Sequence, residues 1–267
     1  MRKLLLSCCV LFSFASCKDM SVEVDTPSET TIVDLTHEFS EETVYWVTAR
    51  EFDLDTVYQG PTDKGYYYSA FDFSTAEHGG THIDAPIHFA AGTPSVDQIP
   101  LEQLMGHAIK VDISEKAFSQ PDYLISIEDF ERWENRENMK IPDGSIVLLE
   151  TGYSRHYPDR KKYLGTENRG EAAVAELHFP GLQPEAAQWL VNKRNINAIG
   201  IDTPSIDYGQ SEYFKSHVIL LSEEIPAFEN LTNLDQLPAK DFEVIALPMK
   251  IKGGSGGPLR IVALVVD

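Results

Sequence analysis

Apolar stretches rich in β-branched residues recur at His107 to Ile113, Ser145 to Glu150, Ile196 to Ile201, His217 to Leu221, Val244 to Leu247 and Leu259 to Val266. Each is short and bounded by Gly, Pro, Asp or Asn, a pattern that predicts buried strands rather than long helices. Helical signals are fewer. Ser126-Ile-Glu-Asp129 has the spacing of a capping box and predicts a helix through about Arg136. Pro184, whose fixed φ suits a first helical turn, predicts another over Glu185 to Arg194. With strands in excess and no internal repeat, the expected fold is one α/β or α+β domain with a large mixed β-sheet. Arg155 to Gly170 mixes Arg, Lys, Asp, Asn and Tyr without periodicity. It is expected to be a surface excursion with solvated basic residues, or else a segment over the active site or in subunit contacts.

The first residues form a different unit. Met1-Arg2-Lys3 precedes an apolar stretch from Leu4 to Ser16, which is 13 residues long, too short to span a bilayer and suited to a secretory signal. Phe14-Ala15-Ser16-Cys17 resembles a bacterial lipoprotein signal, in which Cys17 would become the lipidated first residue, although Phe14 replaces the usual aliphatic residue. The alternative is an ordinary cleaved signal with Cys17 incidental. Residues 17 to 31 are polar and unpatterned, as a tether would be, and the folded domain is expected over 32 to 267. The expected location is outside the cytoplasm, with the membrane contacted only through an N-terminal lipid anchor. The three cysteines, Cys8, Cys9 and Cys17, all lie in or at the end of the signal, which leaves none for a structural disulfide.

The formal charge is −20, from 22 basic and 42 acidic residues, which argues against nucleic acid as a partner. The 267 residues, 42% of them hydrophobic, can bury a substantial core.

The chemistry is concentrated in His78-Gly-Gly-Thr-His-Ile-Asp-Ala-Pro-Ile-His88. His78, His82, Asp84 and His88 all occupy even positions, so an extended backbone would turn them to one face, with Ile83 and Ile87 buried on the other. Gly79, Gly80 and Pro86 argue against a helix. Gly80, on the ligand face, would leave room for an ion or its water. Three imidazoles and a carboxylate in this spacing suit a borderline divalent cation such as zinc, where isolated histidines would more often be surface or core residues. A second cluster runs from His217, expected to open a strand, through Glu223 and Glu224 to Glu229. By pattern alone the three glutamates compete for any acidic role.

Together these motifs resemble the cyclase family of metal hydrolases, which includes bacterial kynurenine formamidases and isatin hydrolases. The resemblance covers roughly residues 32 to 266 and takes in Asp34-Leu-Thr-His37, Ile201-Asp-Thr-Pro-Ser-Ile-Asp207 and the terminal Ala246 to Arg260 in the same order. It implies a swivelling β/β/α domain that assembles as a homodimer or larger homo-oligomer. It further implies a first metal on His78, His82 and Asp84, and a second completed by His217 and Glu229 with Asp84 bridging. His88 would be the catalytic acid/base. Formamidases of the family imply two zinc ions and isatin hydrolases a single manganese, and this chain retains ligand types for both. Trp46 falls where formamidases place a substrate-contacting tryptophan, but Val47-Thr48-Ala49 replaces the usual Pro-Gly-Asp, so Trp46 as an ordinary buried aromatic stands beside it.

The Gly-rich Lys252 to Gly257 lacks the order of a phosphate loop and runs toward a strand, which excludes that reading and predicts a tight turn near the pocket or a subunit boundary. Asp202, Ser205 and Asp207 are expected to orient ligands or to stabilise a turn. His37 is expected near the pocket, and His107, His156 and His178 as structural or exposed residues. The expected activity is metal-dependent hydrolysis of a small aryl formamide, such as N-formylkynurenine, or a related cyclic amide, with metal-activated water as nucleophile. Isatin-type ring opening and lactone hydrolysis are the alternatives, and a non-catalytic metal-binding lipoprotein is the competing reading from another class.

Overall fold

A computed structural model describes residues 30–266. The expected signal, most of the tether and Cys17 lie outside the described residues. In chain order the elements are β1 (Thr30–Asp34), β2 (Asp53–Pro61), β3 (Tyr67–Ser74), β4 (His82–Asp84), α1 (Leu101–Leu104), β5 (Met105–Asp112) and α2 (Ser114–Ser119). There follow β6 (Leu124–Ile125), α3 (Ile127–Glu137), β7 (Ile146–Glu150), α4 (Arg160–Leu164), β8 (Gly181–Leu182), α5 (Pro184–Arg194) and β9 (Ala198–Ile201). The chain ends with α6 (Lys215–Ser222), β10 (Ala227–Glu229), β11 (Phe242–Pro248) and β12 (Gly256–Val266).

The mixed sheet runs β1-β12-β11-β5-β7-β9-β10-β4, and β4 pairs back onto β12. Seven strands therefore close into a barrel-like ring, with β1 added along the outer part of β12. Thr30 and Thr31, expected in the tether, already pair with Val266 and Val265. The parallel strands β5, β7, β9 and β10 form one side of the ring. β7 shows why their sequences are continuously apolar. Ile146 and Leu148 pack inward with Ile83 and Phe228, whereas Val147 and Leu149 pack outward with Phe130, Trp133 and Leu190 of the covering helices.

The two expected helices form where their caps place them. Ser126 N–H donates to Asp129 Oδ2 at 2.9 Å, and α3 stops at Asn138 in the left-handed region. Pro184 occupies the first turn of α5, and Asn195 ends it.

The expected strand at His217 to Leu221 is instead α6. Its buried positions, Ser216, His217, Leu220 and Leu221, follow the helical repeat, so packing of one helical face overrides the β preference of Val218 and Ile219. Arg155 to Gly170 is not merely a surface excursion. Tyr163 and Leu164 are fully buried, Tyr157 Oη accepts the Val44 N–H at 3.1 Å, and Arg160 donates to Glu51 at 2.7 Å. The β2–β3 hairpin had no clear signal, because Leu54, Val57, Tyr58, Tyr67, Phe71 and Phe73 are exposed and no buried face enforces a pattern.

Candidate metal centre

The motif at 78 to 88 is not one extended strand. Only His82 to Asp84 is strand, held between β10 and β12, while Pro86 to His88 turns into a short 3₁₀ helix. Gly80 has φ of 57°, and a Cβ there would lie 2.8 Å from Thr43 Cγ2, so this glycine admits a neighbouring loop rather than an ion. Ile83 is fully buried as expected, but Ile87 is exposed because the turn at Pro86 ends the alternation.

His78, His82, Asp84 and His88 nonetheless converge, and the long-range pairing of β4 with β10 adds the second cluster. Glu229 stands opposite His82 in register. His78 Nδ1 lies 2.6 Å from Asp84 Oδ1, and His82 Nε2 lies 3.3 Å from the same oxygen. His82 Nε2 is 3.4 Å from Glu229 Oε2. From the first turn of α6, His217 Nε2 reaches Asp84 Oδ2 at 2.9 Å and Glu229 Oε1 at 3.1 Å. His78, His82 and Asp84 thus form one potential ligand group and Asp84, His217 and Glu229 another, with Asp84 common to both. Glu223 and Glu224 are not in either group.

The rings of His82 and His217 are set from behind. His82 Nδ1 faces Gly80 O at 2.9 Å, and His217 Nδ1 lies 2.7 Å from Asp207 Oδ2. Each ring therefore keeps Nε2 for the carboxylates. Asp207 accepts the Ser216 and His217 backbone N–H groups as well, so it orients the His217 ring, and Ser205 lines the cavity. Asp202 belongs elsewhere. It accepts from Thr151 and Gly152 as a turn stabiliser, and burial pushes its carboxyl up to about 6.

Asp84 and Glu229 are buried at 1% and 3% exposure. Burial opposes both charges, and the Asp84 charge adds to the upward push on Glu229; the three adjacent imidazoles nevertheless hold Asp84 well below the usual carboxylate range. Burial alone would lower His217, but Asp207, Asp84 and Glu229 hold it well above the usual imidazole range. Two buried carboxylates ringed by imidazoles need positive charge, and this donor set of nitrogen and oxygen fits a divalent cation.

The cluster forms the floor of a cavity of about 300 Å³. Trp46, Phe89 and Phe214 are its aromatic walls, and no Lys or Arg among the described residues lines it. Trp46 meets Phe214 edge-on at 6.1 Å, and Phe214 holds φ of 45°, a conformation uncommon for a bulky residue, before α6. Sequence pattern gave no signal for Phe89 or Phe214. His88 lines the cavity with its ring stacked on His78 at 3.8 Å, and burial lowers its pKa to about 4.

The other histidines lie apart. The His37 ring stacks on Tyr157 at 3.7 Å, and its backbone N–H donates to Thr81 Oγ1 at 2.9 Å. His107 and His178 pair with Glu243 and Asp122, and His156 meets Tyr153 edge-on. No helix among the described residues is long and apolar enough to cross a membrane.

This fold has close counterparts. The cyclase family matches residues 33–208, and the chain belongs to that family. Isatin hydrolase of Roseibium aggregatum is 31% identical, covering 71% of this chain and 72% of its own. Kynurenine formamidase of Bordetella petrii is 29% identical over 69% of this chain and 75% of its own. The solved structure of isatin hydrolase A from Labrenzia aggregata, bound to benzyl benzoate, aligns with a TM-score of 0.81 and 32% identity, covering 89% of this chain and 94% of that one.

Proposed function

We propose that this protein is a metal-dependent hydrolase of a small aryl formamide or cyclic amide, acting in the manner of the kynurenine formamidases and isatin hydrolases it resembles. The observation that carries the reading is the convergence of His78, His82, Asp84, His217 and Glu229 beneath an aromatic-walled cavity. These five residues would hold one or two divalent ions, zinc before manganese. The metal would supply a nucleophilic water at neutral pH and stabilise charge on the carbonyl oxygen. Trp46, Phe89 and Phe214 would clamp a flat ring over the floor, and His88, uncharged at neutral pH, would accept a proton and return it to the leaving nitrogen.

The lining favours one alternative over the first-named substrate. N-formylkynurenine carries a charged amino-acid tail, and no Lys or Arg among the described residues lines the cavity to receive its carboxylate, whereas a neutral bicycle such as isatin needs no such partner. Turnover of purified protein on N-formylkynurenine and isatin in parallel tests the reading. Hydrolysis of either supports it, and isatin turning over faster selects ring opening. Bound metal without turnover of any amide or lactone would favour the non-catalytic lipoprotein.

Three further properties belong to the same proposal. The swivelling β/β/α description is consistent with the closed mixed sheet flanked by helices. Export and lipid anchoring through Cys17 rest on the signal-like residues 1 to 17. A homodimer or larger homo-oligomer would cover the exposed aromatics of the β2–β3 hairpin, whose two ends lead into Ala49 and Ala76 at the cavity.

A further inference from the structure

The Gly-rich segment 252 to 257 has a use that its composition does not announce. It is pinned against the metal motif by Ala85 N–H to Ser255 O at 2.9 Å, Val96 N–H to Gly254 O at 3.0 Å and Gly253 N–H to Asp97 Oδ1 at 2.9 Å. Its glycines permit the approach. A Cβ on Gly256 would lie 2.5 Å from His78 Cε1, and one on Gly254 would lie 2.7 Å from Glu77 Oε1. The segment therefore delivers Ser255 to the back of the His78 ring.

Ser255 Oγ lies 2.7 Å from Glu77 Oε2 and 2.8 Å from His78 Nε2. The Ser255 backbone N–H donates to the same Glu77 oxygen at 3.0 Å. A hydroxyl has one proton, and a carboxylate only accepts. The Ser255 proton therefore goes to Glu77, which leaves Oγ an acceptor and requires the proton of a neutral His78 ring to sit on Nε2. His78 Nδ1 is then a bare lone pair facing Asp84 Oδ1 at 2.6 Å. Two acceptors so close need a shared cation, either the proton of a charged ring or a metal ion in its place.

We infer that Glu77 and Ser255 are positioning residues that fix the tautomer of His78, presenting Nδ1 as a ready metal ligand beside Asp84. His82 and His217 have their rear nitrogens held by a backbone carbonyl and a carboxylate respectively, and the Glu77–Ser255 pair completes the set for the third imidazole. The inference rests on the metal-hydrolase reading and adds to it how one ligand is prepared.

The test is zinc affinity, measured by competition with a chromophoric chelator, for the wild-type chain, Ser255→Ala, Glu77→Gln and Ser255→Thr. It is joined to ¹⁵N NMR of the histidine rings in the zinc-loaded protein. Ser255→Ala is expected to weaken zinc binding by about 10- to 100-fold, the range for loss of a ligand's outer partner. Ser255→Thr, which keeps the hydroxyl, is expected to restore most of that affinity. Glu77→Gln is expected to weaken binding too, because an amide N–H can donate to Ser255 and turn its hydroxyl toward His78. The NMR is expected to show His78 protonated at Nε2. Unchanged affinity in both Ser255→Ala and Glu77→Gln, or His78 protonated at Nδ1, would overturn the inference. A wild-type chain that binds no divalent metal would overturn the metal-hydrolase reading instead.

Discussion

His217 Nε2 lies 2.9 Å from Asp84 Oδ2, although 133 residues separate them in the chain. The contact exists because β10 pairs with β4 while α6 sets His217 against the same strand, so the two candidate ligand groups are products of one piece of topology. Asp84 belongs to both.

That shared position makes Asp84 the least replaceable residue of the centre. Asp84→Ala should empty the site of metal and abolish hydrolysis, whereas Glu229→Ala should leave the His78–His82–Asp84 group able to bind. Elemental analysis of the purified variants checks this, and a fully metallated Asp84→Ala protein contradicts the assignment.

His88 sits in the cavity wall without belonging to either ligand group. Replacing it with Ala should lower kcat by roughly 10² to 10⁴ while metal content stays near wild type. Loss of metal in that variant would place His88 among the ligands.

Much of this centre was legible in the sequence, and the reasons for the omissions are physical. The parallel strands β5, β7 and β9 read correctly because their central residues are buried on both faces, and the caps of α3 and α5 are local chemistry carried by Ser126, Asp129 and Pro184. The apolar run after His217 misread as a strand because α5 and the sheet, not the run itself, decide its periodicity. Asp207, Ser255 and Glu77 are ordinary polar residues in sequence. Only the closure of the ring through β4 and β12 brings Ser255 to His78, and no local spacing encodes a pairing so distant.

His37 predicts a pH dependence of stability. Burial against Tyr157 lowers its pKa from 6.5 to about 4 in the folded chain. The unfolded chain therefore binds the extra proton between those values, so stability present above about pH 6.5 is lost as pH falls toward 4. The full effect is on the order of 3 kcal/mol. His37→Phe, which keeps an aromatic ring on Tyr157, should flatten this part of the curve in denaturant titrations, and an unaltered slope between pH 4 and 6.5 would contradict the account.

Trp46 and Phe214 meet edge-on at 6.1 Å in the cavity wall. If they clamp the substrate ring in ground and transition states alike, Trp46→Ala should raise KM about tenfold with a smaller change in kcat. A large fall in kcat at unchanged KM would show that the ring acts only in the transition state.

The buried carboxylate–imidazole cluster is expected to work by holding a metal. The most direct measurement is hydrolysis of isatin and N-formylkynurenine by the purified protein as isolated, after chelator treatment, and after zinc or manganese is restored. Turnover of at least one substrate is expected, lost on stripping and regained with one of the two metals. Turnover that survives removal of all bound metal would contradict this role of the cluster.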